Sequence, residues 1–162
     1  MKNWIPFLSL TVISINAHAE SFIKYGIGVA GSAKDSIAES KTIALGYKEK
    51  LLGAFAYQLE GGFWTDSRKD LGRTGSAFAS SSLGLNIEAG YFYTHAFCGP
   101  AVITDKDSML GGHFQFNNDI GLGVKDKDGY SMGVNYKHIS SAGIFTPNQG
   151  RDFLTIKLGV PF

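Results

Sequence analysis

Apolar residues alternate with small or polar ones along most of this chain, in runs of about ten residues separated by turn formers. In residues 22–31, Ile23, Tyr25, Ile27 and Val29 stand against Lys24, Gly26, Gly28 and Ala30. A second run sets Ile43, Leu45 and Tyr47 against Thr42, Ala44 and Gly46, and a third sets Phe55, Tyr57, Leu59 and Phe63 against Ala56, Gln58 and Glu60. The fourth opposes Leu83, Leu85 and Ile87 to Ser82, Gly84, Asn86 and Glu88. Residues 91–103 alternate poorly and contain Pro100, so the facing of a fifth strand stays open. The sixth opposes Phe114, Phe116, Ile120, Leu122 and Val124 to His113, Gln115, Asn117, Asp119, Gly121 and Gly123. The seventh carries Tyr130, Met132, Val134 and Tyr136, and the last carries Leu154, Ile156, Leu158, Val160 and Phe162. Because successive side chains of a strand point to opposite faces, each run has one greasy face and one small or charged face.

Such a pattern suits a soluble sandwich or a barrel in lipid, and two features favour the barrel. Connections alternate in length: residues 48–52, 88–90 and 125–129 are tight, whereas the intervening ones are longer and polar, including GSAKDSIAES and TDSRKDLGRTG. Short turns at one end and long loops at the other are the habit of outer-membrane barrels. The chain also closes on an aromatic, Phe162, as barrels recognised by the assembly machinery do. The sequence therefore predicts an all-β fold, an eight-stranded antiparallel transmembrane β-barrel of the outer membrane. Side chains just fill a barrel of that size. Lys24, Glu60, Glu88, Asp119, Lys137 and Lys157 fall on the inward parity, so a packed polar interior is expected and a conducting pore is not.

Composition agrees with export. Residues 1–19 read as a signal peptide, with Lys2, an apolar stretch and the small-residue ending Ala17-His18-Ala19, leaving residues 20–162 as one barrel domain. With 21 glycines, 12 phenylalanines and 7 tyrosines, and no later apolar run long enough for a spanning helix, β-structure is favoured again. A net charge of +1 and the lack of a basic stripe give no support for nucleic-acid binding. Cys98 is the single cysteine, which excludes an intramolecular disulfide. His95 and Cys98 in the fifth run and His113 in the sixth lack ligand spacing, so no metal is expected, and Gly26-Ile27-Gly28 and Gly121-Leu122-Gly123 precede no helix, so no nucleotide cofactor is either.

One segment breaks the pattern. In YKHISSAG, residues 136–143, His138 and Ser140 share the parity of Tyr136, Val134 and Met132, the lipid face, at the outer rim. Parity carried back from Phe162 puts Asp152 on the same face at the same rim. Same-face neighbours two apart have Cβ atoms roughly 6.5–7 Å apart, within reach of an imidazole and a serine oxygen. Such a histidine can take the serine proton while the carboxylate holds the ring, the logic of an esterase. The turn at residues 126–129 brings Asn118, the polar exception on the sixth run's apolar face, beside Tyr136 or His138. Polar residues at a rim also serve simply to meet lipid headgroups, and the residues alone leave both readings open.

The stretch HISSAGIFTPNQGRD resembles the C-terminal motif of the PagL-type lipid A 3-O-deacylase family: His-x-Ser-Asn-Ala-Gly, a spacer, Pro-Asn-x-Gly and an acidic residue. FQFNNDIGLG adds a weaker resemblance. The resemblance implies an outer-membrane barrel that hydrolyses the ester-linked acyl chain at position 3 of lipid A, with Ser140 as nucleophile, His138 as base and Asp152 as acid. The chain departs from the motif twice: the acid is usually glutamate, and the residue after the serine is usually asparagine, an oxyanion donor, where this chain has Ser141. Ser141 and the backbone N–H groups of Ala142 and Gly143 are then the candidate oxyanion donors, with Asn118 as support. Phe114 and Phe116 are expected along the acyl chains, and Arg151, with Lys34, Arg68, Lys69 and Arg73, near the glucosamine phosphates. The implied partners are lipopolysaccharide, the outer membrane of a Gram-negative cell and the barrel-assembly machinery through Phe162, with homodimer formation left open. Competing readings are a non-catalytic barrel for adhesion, shielding or exclusion, and an outer-membrane phospholipase.

Overall fold

Turn chemistry fixes one end of the molecule. The connections made by Gly53 and Ala54 and by Gly90 and Tyr91 each begin with a glycine at positive φ, 58° and 61°, as two-residue hairpin turns require. In the third short connection the Asp126 side chain accepts the N–H groups of Asp128 and Tyr130, both at 2.9 Å, and so sets the register of the flanking strands.

The computed structural model of the chain describes residues 19–29, 40–67 and 72–162. Most of the predicted leader, together with Lys34, Arg68 and Lys69, lies outside the described residues. The strands are β1 (Ala19–Val29), β2 (Ser40–Leu52), β3 (Phe55–Asp66), β4 (Ser76–Ala89), β5 (Phe92–Ile103), β6 (Phe114–Lys125), β7 (Ser131–Ser140) and β8 (Arg151–Pro161). Each pairs antiparallel with the next, and β1 closes on β8 from Glu20 opposite Pro161 to Val29 opposite Asp152. Closure leaves no edge strand, the condition for spanning a bilayer with β-structure. The predicted eight-stranded antiparallel barrel is the observed fold.

Three details differ from the sequence reading. The first tight turn falls at residues 53–54, after residues 48–52, because β2 stays paired to Leu52 through a register shift next to Lys50. Strand β5 alternates with inverted bulk: Tyr93, His95, Phe97, Ala101 and Ile103 point inward, while Thr94, Ala96, Cys98 and Pro100 face out. Its poor alternation on a hydropathy scale comes from aromatics in the lumen. Glu88 keeps the inward parity but sits at the short-turn mouth, partly exposed between Lys50 at 3.2 Å and Lys125 at 3.5 Å.

The lumen is filled in tiers. Near the short turns, Glu20 pairs with Lys157 and, at 3.2 Å, with Lys48. In the middle, Lys24 bridges Glu60, at 2.9 Å, and Asp119, while Lys137 pairs with Glu60. Gln58 donates to Asp119 at 3.0 Å, and Asn135 donates to Asp119 at 2.9 Å and to His95 at 2.8 Å. Towards the long loops the filling turns apolar, a feature the polar-interior expectation lacks: Trp64, Phe78, Ile103, Met109, Leu110, Ile139 and Phe153 form one buried cluster. Outside, the wall is a belt of exposed Ile, Leu and Val, with Phe55, Tyr91, Phe92, Tyr130 and Phe162 ringing the short-turn end. Aromatics at that level are the interfacial girdle of a membrane barrel.

Candidate functional site

Lumenal knobs set the phase of β7 and β8. Lys137 and Ile139 are fully buried, as is Phe153 across the ladder with Arg151 buried beside it, so the residues between them face out. His138 is therefore directly opposite Asp152 on β8 and opposite Asn118 on β6, and Ser140 is opposite Phe116. All stand on the outer wall at the long-loop end.

The His138 ring lies 2.6 Å from Asp152 through Nδ1. A carboxylate only accepts, so Nδ1 carries the proton and, in the neutral ring, Nε2 keeps a free lone pair. Asp152 is nearly covered, its side chain 11% exposed against 33% for His138, which favours a strong bond at the lipid boundary. Gly150 makes room for the ring: its φ is 75°, and a Cβ there would stand 2.6 Å from His138 Cε1.

Ser140 shares the face of His138 two residues on, and among the described residues its hydroxyl has no hydrogen-bond partner. The structure thus joins His138 to Asp152 and leaves the serine adjacent but unbonded. Catalytic hydrogen bonds are often long without substrate and tighten in the complex.

The loop after Ser140 turns on two consecutive left-handed residues, Ala142 at φ 51° and Gly143 at φ 85°. Ser141 is buried beneath it. Its N–H donates to Asn148 Oδ1 at 2.8 Å, and its hydroxyl lies 3.2–3.3 Å from the Phe145 N–H and carbonyl. The Ser141 side chain is therefore engaged inside the loop and does not face a reacting carbonyl, which removes its hydroxyl as the expected oxyanion donor. The backbone N–H groups of Ala142 and Gly143 make no hydrogen bond among the described residues. The loop is braced from β5–β6: Leu110 bridges Asn148, Gly111 donates to the Pro147 carbonyl at 2.8 Å and Gln149 to the Met109 carbonyl at 2.9 Å.

Arg151 is a correction. Its parity is opposite to that of Asp152, so its guanidinium turns into the lumen, onto Asp66 at 2.7 Å and Asp107, with the Trp64 ring 5.6 Å away. Two carboxylates neutralise it there, and it does not meet phosphates outside. Phe114 and Phe116 lie on the outer wall with ring centroids 5.3 Å apart, edge to face. Asn118 is half-buried beside His138 without bonding to it. No group of three potential metal ligands occurs among the described residues.

Sequence reasoning passed over Tyr136, whose hydroxyl donates to Asp152 Oδ1 at 2.6 Å. It shares parity with His138 two residues away, which is signal enough, but a tyrosine on a lipid face reads as girdle. Gly150 was also passed over, since only coordinates show what its missing side chain admits.

Comparison with known proteins bears on what these groups do. Solved structures share the barrel: the outer membrane enzyme PagL (20% identity, TM-score 0.63, covering 87% of this chain and 99% of that one), neisserial surface protein A (10%, 0.64, 91% and 98%) and the attachment invasion locus protein Ail of Yersinia pestis (9%, 0.60, 91% and 100%). At such identities they show the fold alone. Two curated relatives named lipid A deacylase PagL are each 37% identical: one from Pseudomonas aeruginosa over 84 residues, 52% of this chain and 46% of that protein, and one from Bordetella bronchiseptica over 68 residues, 40% and 38%. The chain thus spans less than half the length of the curated relatives it matches. The sequence profile described as Lipid A 3-O-deacylase (PagL) matches residues 41–161, from the second strand to the end of the eighth. The chain belongs to the lipid A 3-O-deacylase (PagL) family and is an outer-membrane barrel of the Gram-negative type.

Proposed function

We propose that this chain is a lipid A 3-O-deacylase, a serine esterase that removes the ester-linked 3-hydroxyacyl chain of lipid A from the outer leaflet. The observation that carries the reading is the 2.6 Å bond between His138 and Asp152 on the lipid-facing wall, with Ser140 on the same face. A barrel used only for adhesion or shielding gains nothing from an imidazole locked by a carboxylate at that depth, and the shared fold does not discriminate between the two.

In the proposed reaction His138 Nε2 takes the Ser140 proton as Oγ attacks the ester carbonyl, and Asp152 stabilises the resulting imidazolium. The backbone N–H groups of Ala142 and Gly143 are the donors left to hold the oxyanion. His138 then protonates the departing sugar oxygen, and water, deprotonated by the same ring, releases the fatty acid and restores Ser140. Phe116, opposite Ser140, and Phe114 beyond it would flank the acyl chain. Assembly through Phe162, which is 86% exposed at the end of the last strand, fits the same setting.

Mass spectrometry of lipid A from Gram-negative cells expressing the chain tests the reading. Loss of one 3-hydroxyacyl group, absent with Ser140→Ala, is the expected result. Unchanged lipid A with cleaved glycerophospholipid would support a phospholipase instead, and no change in either would leave a non-catalytic barrel.

Gly150→Ala should impair the same activity without unfolding the barrel. The added Cβ must displace the His138 ring, and misplacement by about 1 Å costs roughly a hundredfold in rate. A left-handed alanine adds strain of only about 1–2 kcal/mol. Retained heat-modifiable mobility on a gel, with the rate down by about that factor, is the expected pair of results.

A further inference from the structure

The Asp152 carboxylate takes two donors on one oxygen. His138 Nδ1 and the Tyr136 hydroxyl each stand 2.6 Å from Oδ1. Tyr136 reaches it diagonally: its own partner on β8 is Leu154, one outward position further into the membrane than the His138–Asp152 pair. Its ring is part of the apolar wall, and its hydroxyl is the other described donor to this carboxylate.

Aspartate is one methylene shorter than the glutamate usual at this position in the motif, so it cannot follow the imidazole as freely. The carboxylate is nearly covered, and the two donors on Oδ1 are the described hydrogen bonds that fix the rotation of its plane about χ2. We propose that Tyr136 is a positioning residue that pins Asp152 Oδ1 against His138 Nδ1 and so makes the shorter acid competent; this rests on the deacylase reading for its catalytic consequence, but not for its geometry. Tyr136 acts through Asp152 and His138 and does not touch the reacting atoms. A phenol serves where a serine would not, since it spans the rise between adjacent outward positions and keeps its apolar body in the bilayer.

Two measurements on the full barrel in detergent micelles test the proposal. The first is steady-state hydrolysis of lipid A by the wild type, Tyr136→Phe, Asp152→Glu and the double variant. Tyr136→Phe should lower kcat about tenfold to a hundredfold with KM unchanged, as expected for loosened geometry rather than lost binding. In the Asp152→Glu background the same change should cost less than about threefold, because the longer acid reaches the ring unaided. Equal losses in both backgrounds, or a kcat for Tyr136→Phe within about twofold of wild type, would overturn it. The second is nitrogen NMR of 15N-histidine-labelled chain, with His138 assigned by its absence in His138→Gln. The wild type should show a single Nδ1–H tautomer and Tyr136→Phe a mixture. If lipid A proves not to be hydrolysed but the tautomer still becomes mixed, the deacylase reading falls and the positioning role stands; an unchanged tautomer removes the role whatever the activity.

Discussion

Ser140→Ala is expected to reduce lipid A deacylation by about 10⁴- to 10⁶-fold, the range seen when one member of a hydroxyl–imidazole–carboxylate unit is removed. The size follows from the chemistry available on this wall. Among the described residues the outward face around His138 offers Asn118, Phe116, Tyr136 and Ser140; of the two hydroxyls, that of Tyr136 is donated to Asp152, which leaves Ser140 as the one an imidazole two positions away can activate. Ser141 does not substitute for it, since it points the other way and its hydroxyl is engaged with the Phe145 backbone. The variant should fold as well as the wild type, because Ser140 makes no hydrogen bond to a described residue and stands on the outer wall opposite Phe116. A Ser140→Ala rate within tenfold of wild type, measured on purified barrel with defined lipid A, would remove serine catalysis from consideration.

The second large effect is on stability. Glu60→Gln leaves Lys137 without a carboxylate and Lys24 with Asp119 alone, in a lumen where all four side chains are buried. Removing one partner from a buried ion pair costs about 3–5 kcal/mol, because the remaining charge keeps its desolvation penalty. Urea titration of the barrel folded into lipid vesicles should show a loss of that order. Replacing both partners with apolar residues of similar volume, Glu60→Leu with Lys137→Met, should recover most of it, since the penalty belongs to the orphaned charge and not to the absence of the bridge. A Glu60→Gln midpoint shift equivalent to less than about 1 kcal/mol would show that the middle tier is hydrated well enough to tolerate a lone lysine.

The fold is legible in the sequence wherever one face of a strand is apolar and the other is small or charged, as in residues 22–29 and 130–137, because a strand's two-residue period ties burial to parity. It is illegible where the lumen itself takes aromatics. Tyr93, His95 and Phe97 carry the bulk of β5 inward, and Trp64, Phe78 and Phe153 build an apolar plug on positions whose parity is inward but whose hydropathy matches the lipid face. The outward placement of His138, Ser140 and Asp152 is legible for the same reason as the strands are. What parity does not carry is the third dimension of the neighbourhood. Arg151 turns inward by one step of register, yet which carboxylates meet it depends on β3 and on the β5–β6 loop, remote in sequence. The diagonal reach of Tyr136 and the space that Gly150 leaves for an imidazole edge are likewise set by side-chain length and backbone angle.

The sealed lumen has a kinetic consequence. With the described interior occupied from the Glu20 tier up to the Phe153 plug and the proposed catalytic groups on the outside, the described residues leave no path to His138 through the lumen. On the deacylase reading, encounters are then two-dimensional, made by lateral diffusion within one leaflet. Turnover should therefore track the mole fraction of substrate in the surface: spiking vesicles with inert lipid slows it, while adding buffer to the same vesicles leaves it unchanged.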